Sequence, residues 1–119
     1  MEEQFEDWLK KLINVWESKN PNGVLDLVSE KFIWHDAPFD KPLTTKEDLL
    51  REWQSVLNHD AIQVTYEMLG IENNVGIAHW HATFIRLLSK EEAELDGIYK
   101  ITLDDNGKCT EFHQWYNSK

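Results

Sequence analysis

The sequence predicts an α+β fold in which a cone-shaped, curved and mostly antiparallel sheet wraps around three N-terminal helices. Three observations carry that expectation. Apolar residues at helical spacing fill the first half of the chain, strand-like segments fill the second, and an Asp-Asp-Asn-Gly turn joins the last two strands. Sequential hairpins make a sheet antiparallel, and amphipathic helices must bury their stripes on one of its faces.

Phe5, Trp8, Leu9, Leu12, Ile13 and Trp16 recur at three- and four-residue steps, which predicts a helix from about Glu3 to Lys19. Asn20-Pro21-Asn22-Gly23 ends it, and Asn20 is placed to cap a second, short helix whose buried side is Val24, Leu25, Leu27 and Val28. The Phe32-Ile33-Trp34 run reads as a short strand. Thr44-Thr45-Lys46-Glu47 fits a capping box with Thr44 as the cap, opening a third helix to about Asn58 with a stripe of Leu49, Leu50, Trp53, Val56 and Leu57. Ile62 to Met68 alternates as a half-buried strand, and Val75 to Leu88 is apolar on both parities, so both of its faces need covering. Strands from about Leu95 to Leu103 and Lys108 to Tyr116 close the chain, with the acidic run Lys90 to Glu94 as a solvated loop before them.

The 119 residues suit one domain, 1–119, and six tryptophans with 41% hydrophobic content suit a packed core. Twenty-two acidic residues against 12 basic ones give a net charge of −10, which opposes nucleic acid and anionic membranes and favours a neutral or cationic ligand. Cys109 is the lone cysteine, so no internal disulfide or thiolate metal cluster can form. The acidic amphipathic start lacks the features of a secretory signal, and a cytoplasmic location is expected.

On its element order, and on "WHDAPFDKPLTTKEDLLREW" and "DGIYKITLDDNGKCTEFHQWYN", the chain resembles the SnoaL-like, or nuclear transport factor two-like, superfamily, whose fold is a cystatin-like α+β roll. That fold hosts isomerases, cyclases, dehydratases, epoxide hydrolases and proteins without known chemistry, so the resemblance implies architecture more than activity. Ketosteroid isomerase is a distantly similar member. The likeness places Asp36 where that enzyme has its base, but puts Leu12 and Tyr99 where its two oxyanion donors would stand. One donor is lost and the other replaced.

Asp36 shares a strand face with Trp34 and is either a base whose pKa is raised by an apolar surround or the opening residue of the Ala37-Pro38 turn. His79 and His81 share a face of the long strand. They form an acid–base pair if that face lines the cone, as the paired pocket histidines of scytalone dehydratase suggest, and a surface or interface pair if Trp80 and Phe84 line it. A metal held by these histidines and Asp36 is the weaker reading of the His-x-His spacing, and neither metal nor cofactor is expected. The resemblance turns Tyr99, Phe112, Gln114 and Tyr116 into the cone and His113 outward; Trp34 and Trp53 are candidate ligand walls, although helix and strand core is the alternative for both and for Trp16. Asp96 reads as a strand-start residue, with a second pocket carboxylate as the alternative.

These residues define two hypotheses. The first is a pocket for a small, neutral, largely apolar molecule, with Asp36 as general base, His79, His81 and Tyr99 as catalytic partners, and a cofactor-free isomerisation, cyclisation or dehydration as the reaction. The second is a non-catalytic carrier or interaction protein whose cone is filled by its own tryptophans. Either is expected as a homodimer through the outer sheet face, where the helices give no cover.

Overall fold

The structure, a computed structural model, describes residues 2–119. Helix α1 spans Glu2–Glu17 and buries Phe5, Trp8, Leu9, Leu12, Val15 and Trp16, the stripe that the spacing predicts with Val15 inside in place of the partly exposed Ile13. Pro21–Leu27 follows as a 3₁₀ segment rather than an α-helix; Asn20 makes no side-chain cap, and its carbonyl instead accepts from the Gly23 amide. Val28–His35 forms β1, longer than the aromatic run alone indicates.

Helix α2 spans Lys46–Trp53 and tightens into a 3₁₀ turn over Gln54–Asn58. The cap is Thr45, one residue later than expected: its hydroxyl accepts from the Asp48 amide at 3.1 Å. Tightening the last turn rotates Leu57 out of the predicted stripe, leaving it exposed, while Leu49 and Val56 stay buried.

Strands β2 (His59–Glu72), β3 (Val75–Arg86), β4 (Glu92–Leu103) and β5 (Cys109–Ser118) complete a five-stranded sheet in the order β1-β5-β4-β3-β2. Pairing is antiparallel throughout β2 to β5, as the hairpins require, whereas β1 runs parallel to β5 across the intervening chain. The expected acidic loop is half strand: Glu92 to Glu94 already pair with β3, and Ala93 is buried beneath them. At the β4–β5 turn the Asp104 carboxylate accepts from the amides of Asn106 and Lys108, and Gly107 takes the positive φ of 76° that the turn needs.

The helices cover the concave face, so inward residues of four strands join one core, Phe32 and Trp34 of β1, Trp80 and Phe84 of β3, Ile101 of β4 and Phe112 of β5, while β2 packs the partly buried Ile62, Val64, Tyr66 and Met68 against it. Among the described residues no helix is long and apolar enough to cross a membrane. The displaced cap gives a direct check. Thr45→Ala is expected to lower unfolding free energy by about 1 kcal/mol, whereas Thr44→Ala stays within about 0.5 kcal/mol of the parent in urea unfolding; the reverse ranking would restore Thr44 as the cap.

Candidate functional site

A cavity of about 310 Å³ lies between the helices and the concave face, at the low end of the range for small-molecule sites. Trp16, Trp34, Trp53, Trp80, Tyr99 and Tyr116 supply much of its wall, and the exposed Glu52, Ser55, Arg86 and Ser118 mark where it meets solvent. The cone is therefore not filled by its own tryptophans. Trp16, Trp34 and Trp53 are at once packing groups and cavity wall.

Asp36 stands just beyond β1 in a loop pinned at its base, where Trp34 and Leu43 exchange main-chain hydrogen bonds in both directions at 2.9 and 2.8 Å. Its carboxylate does not bond to the turn amides. Instead Oδ1 accepts from the Trp34 indole Nε1 and from Gln114 Nε2, each at 3.1 Å, while the same Gln114 nitrogen donates to the Asp36 carbonyl at 3.0 Å. Those contacts exclude the turn-former reading of the side chain. They also make Gln114, which the resemblance turns into the cone, the group that orients Asp36.

The Asp36 pKa is raised to about 7, first by burial and then by a hydrogen bond and charge repulsion from Glu52; the Trp34 indole lowers it. The adjacent indole is thus a brake on the shift that it was expected to cause. Glu52 went unnoticed in the sequence although it stands three residues after the buried Leu49 and beside Trp53, on the apolar side of α2, where a carboxylate is out of place.

Tyr99 is buried in the cavity wall and stacks on Trp80 at 5.0 Å. Burial and the nearby Asp36 charge push its phenol up, so it remains protonated and able to donate. Leu12, at the position where the resemblance seats an oxyanion donor, is packed into the core and does not line the cavity. Trp34, Trp53 and Tyr116 line the cavity. Phe112 does not: it is sealed beneath Trp34, ring centroids 3.8 Å apart and nearly parallel.

His79 and His81 are corrected. Ala78, Trp80, Ala82 and Phe84 are the buried parity of β3, which turns both histidines to the convex face, away from Asp36. There His79 bonds to Asp96 at 2.9 Å and Glu67 at 3.2 Å, and His81 to Glu94 at 2.8 Å, so Asp96 partners a histidine rather than opening a strand. The Asp96 bond leads the rise in the His79 pKa. Lying across the sheet from Asp36, the two histidines cannot meet it around one ion. His113 is on the convex face as predicted, stacked on His35 at 4.2 Å.

The histidine that does line the cavity is His59, which no sequence pattern picks out because it sits where the 3₁₀ turn passes into β2. Arg86, its cross-strand partner, and Trp80, readable only as core, are further lining residues that the sequence did not nominate.

This geometry is that of an α+β cone with an open, aromatic-walled cavity, and the comparisons agree on the fold. The sequence profile of the SnoaL-like domain matches residues 9–112, and the chain belongs to that family. No curated protein matches it. Among solved structures it is similar to the epoxide hydrolase/cyclase-like enzyme SalBIII, described in pyran ring formation in the polyether salinomycin, with TM-score 0.83 and 9% identity over 98% of this chain and 92% of that one. A conserved protein from Planctomyces limnophilus gives TM-score 0.81 at 12% identity, covering 99% of this chain and 97% of that one. Rv0760c of Mycobacterium tuberculosis, solved with estradiol-17β-hemisuccinate, gives 0.77 at 13% identity over 92% and 91%. At such identities the likeness is one of fold.

The electrostatics predict a titration. With Asp36 raised from 3.8 to about 7, the folded chain holds a proton that the unfolded chain has released across that window. Stability from this group is therefore complete below pH 3.8 and falls as pH rises towards 7. Carbon-detected NMR of the carboxyl should show a midpoint near 7 that drops in Glu52→Gln, and Asp36→Asn should flatten the pH dependence of unfolding between those limits. A midpoint near 4 in the parent chain would refute the influence of burial and Glu52 on Asp36.

Proposed function

We propose that the protein binds a small, largely apolar molecule, uncharged where it meets Asp36, and transforms it without a cofactor by isomerisation, cyclisation or dehydration. The observation that carries this reading is Asp36 itself: a carboxyl with a pKa of about 7, aimed by Trp34 and Gln114, in the wall of an open aromatic cavity. A base is most effective when its pKa lies near the working pH, since it is then both available and basic. Asp36 takes a proton from carbon or oxygen of the ligand, and Tyr99, on the same wall and coupled to Asp36 by charge, donates to the oxygen where negative charge develops. Glu52 holds the proton between turnovers by raising the affinity of Asp36 for it.

Leu12 favours a second reading, a ligand carrier. Where the resemblance seats a donor there is only a buried aliphatic side chain, and a missing oxyanion donor forfeits about 3 kcal/mol of barrier lowering. Asp36→Asn separates the two. It keeps an acceptor oxygen for Trp34 and Gln114 while removing the base, so turnover of any substrate found by screening should fall about 10²- to 10⁴-fold with binding retained. Unchanged turnover would remove Asp36 as base; binding without turnover in the parent chain would leave the carrier.

We further infer a cytoplasmic homodimer through the convex sheet face. There Ile33, Ile77 and Trp115 are each about two-fifths exposed, at 41%, 39% and 43%, among the histidines of β1, β3 and β5. Apolar area of this kind on one sheet face suits an isologous contact. Light scattering should give twice the chain mass at micromolar concentration, and Trp115→Glu should return the monomer; a parent chain that is already monomeric would overturn the dimer.

A further inference from the structure

We propose that His59 and Arg86 form an anion anchor at the end of the cavity away from Asp36, and that the ligand is an apolar molecule carrying a carboxylate. This deepens the small-molecule reading above and rests on it. It also revises the wholly neutral ligand that the net charge suggests, to one with an apolar body and one anionic end.

His59 is held in a single state by its neighbours. The Trp16 indole Nε1 donates to its Nδ1 at 3.0 Å. An indole N–H can only donate, so Nδ1 carries the lone pair and Nε2 carries the proton. Protonating Nδ1 would set two N–H groups against each other. Burial, Arg86 and Lys19 all lower the pKa further, so the ring stays neutral and Nε2–H remains a donor with no protein acceptor among the described residues.

Arg86 is the direct cross-strand partner of His59, and both line the cavity. One aromatic ring supports the two: His59 stacks on Phe84 at 3.9 Å, and the Arg86 guanidinium lies 5.8 Å from the same ring centroid. The chain has two arginines. Arg51 bridges Glu47 and Asp48, whereas Arg86 makes no salt bridge among the described residues, although Glu91 and Glu92 lie in the adjoining turn and strand. An unpaired guanidinium in a chain with 22 acidic residues, beside a neutral N–H donor at the rim of a cavity, is arranged for an acceptor from outside. Register sets this end apart from Asp36: Gln114, which holds Asp36, faces Tyr99, whereas Phe84 faces Ala93 six residues further back along β4.

The test compares 2-naphthoate with 2-naphthamide, equal in shape and differing in charge, by calorimetry and by indole N–H shifts near neutral pH and at low salt. Naphthoate is expected to bind about tenfold tighter, the scale of one hydrogen bond to a charged group, and to shift the Trp16 indole resonance. Arg86→Gln should erase the preference, and His59→Phe should weaken naphthoate while His59→Gln, which keeps a donor, retains part of it. Should Arg86→Gln fail to fold, added salt on the parent chain serves instead, weakening naphthoate and sparing naphthamide. Equal affinity for the two probes, a preference that survives Arg86→Gln, or a naphthoate response confined to Trp34 would each overturn the anchor while leaving the pocket intact. Failure of both probes to bind would overturn the pocket reading and the anchor with it.

Discussion

The arrangement of the site depends on how Trp34 is held. Its backbone is locked to Leu43 by a reciprocal pair of hydrogen bonds, and its ring is pressed flat on Phe112 of the neighbouring strand. The parallel register that sets Trp34 opposite Phe112 also brings Gln114 beside Asp36, two residues further along each strand. A loop with Pro38 and a 98% exposed Phe39 is thereby tied at its base, so Asp36 does not share the freedom of the tip. Holding a carboxyl by a neighbouring strand and a packed indole gives the geometric precision that a proton transfer needs.

The second constraint is electrostatic. Burying a carboxyl opposes its ionised form, and a second carboxyl nearby opposes it again, while the indole and amide donors favour it. The effects that oppose the anion win and carry the pKa to about 7, so near neutral pH the group is poised between its two protonation states rather than fixed in either. Removing Glu52 or Gln114 would tilt that balance in opposite directions, since one disfavours the anion and the other stabilises it. The net charge of −10 acts at longer range, is screened by salt, and does not decide the state of a group held by contacts of about 3 Å.

Much of this was legible in the sequence, for reasons that separate the residues. The helices, the long strands and the last hairpin were readable because periodicity and turn chemistry are local properties. The parallel β1–β5 pair was not, since it joins residues about eighty apart and leaves no local pattern. Asp36 was placed by resemblance, but its partners Gln114 and Glu52 come from β5 and α2 and meet only in the fold. The face of His79 and His81 could not be settled because β3 is apolar on both parities; packing chose the parity with Trp80 and Phe84, the larger side chains.

The five histidines show why residue type alone does not announce a site. Four lie on the convex face: His79 and His81 against carboxylates, and His35 stacked on His113, which itself bonds to Glu111. An acidic partner favours the charged imidazolium, as the raised His79 pKa reflects, and suits a group that answers to solvent pH. The fifth, His59, has an indole donor where His79, His81 and His113 have carboxylate acceptors, and its neighbours push it the other way. A chain rich in carboxylates can keep a neutral imidazole only where acceptors are excluded. The aromatic wall of Trp16 and Phe84 does so, and the same wall that shapes the cavity thereby sets the protonation of the histidine within it.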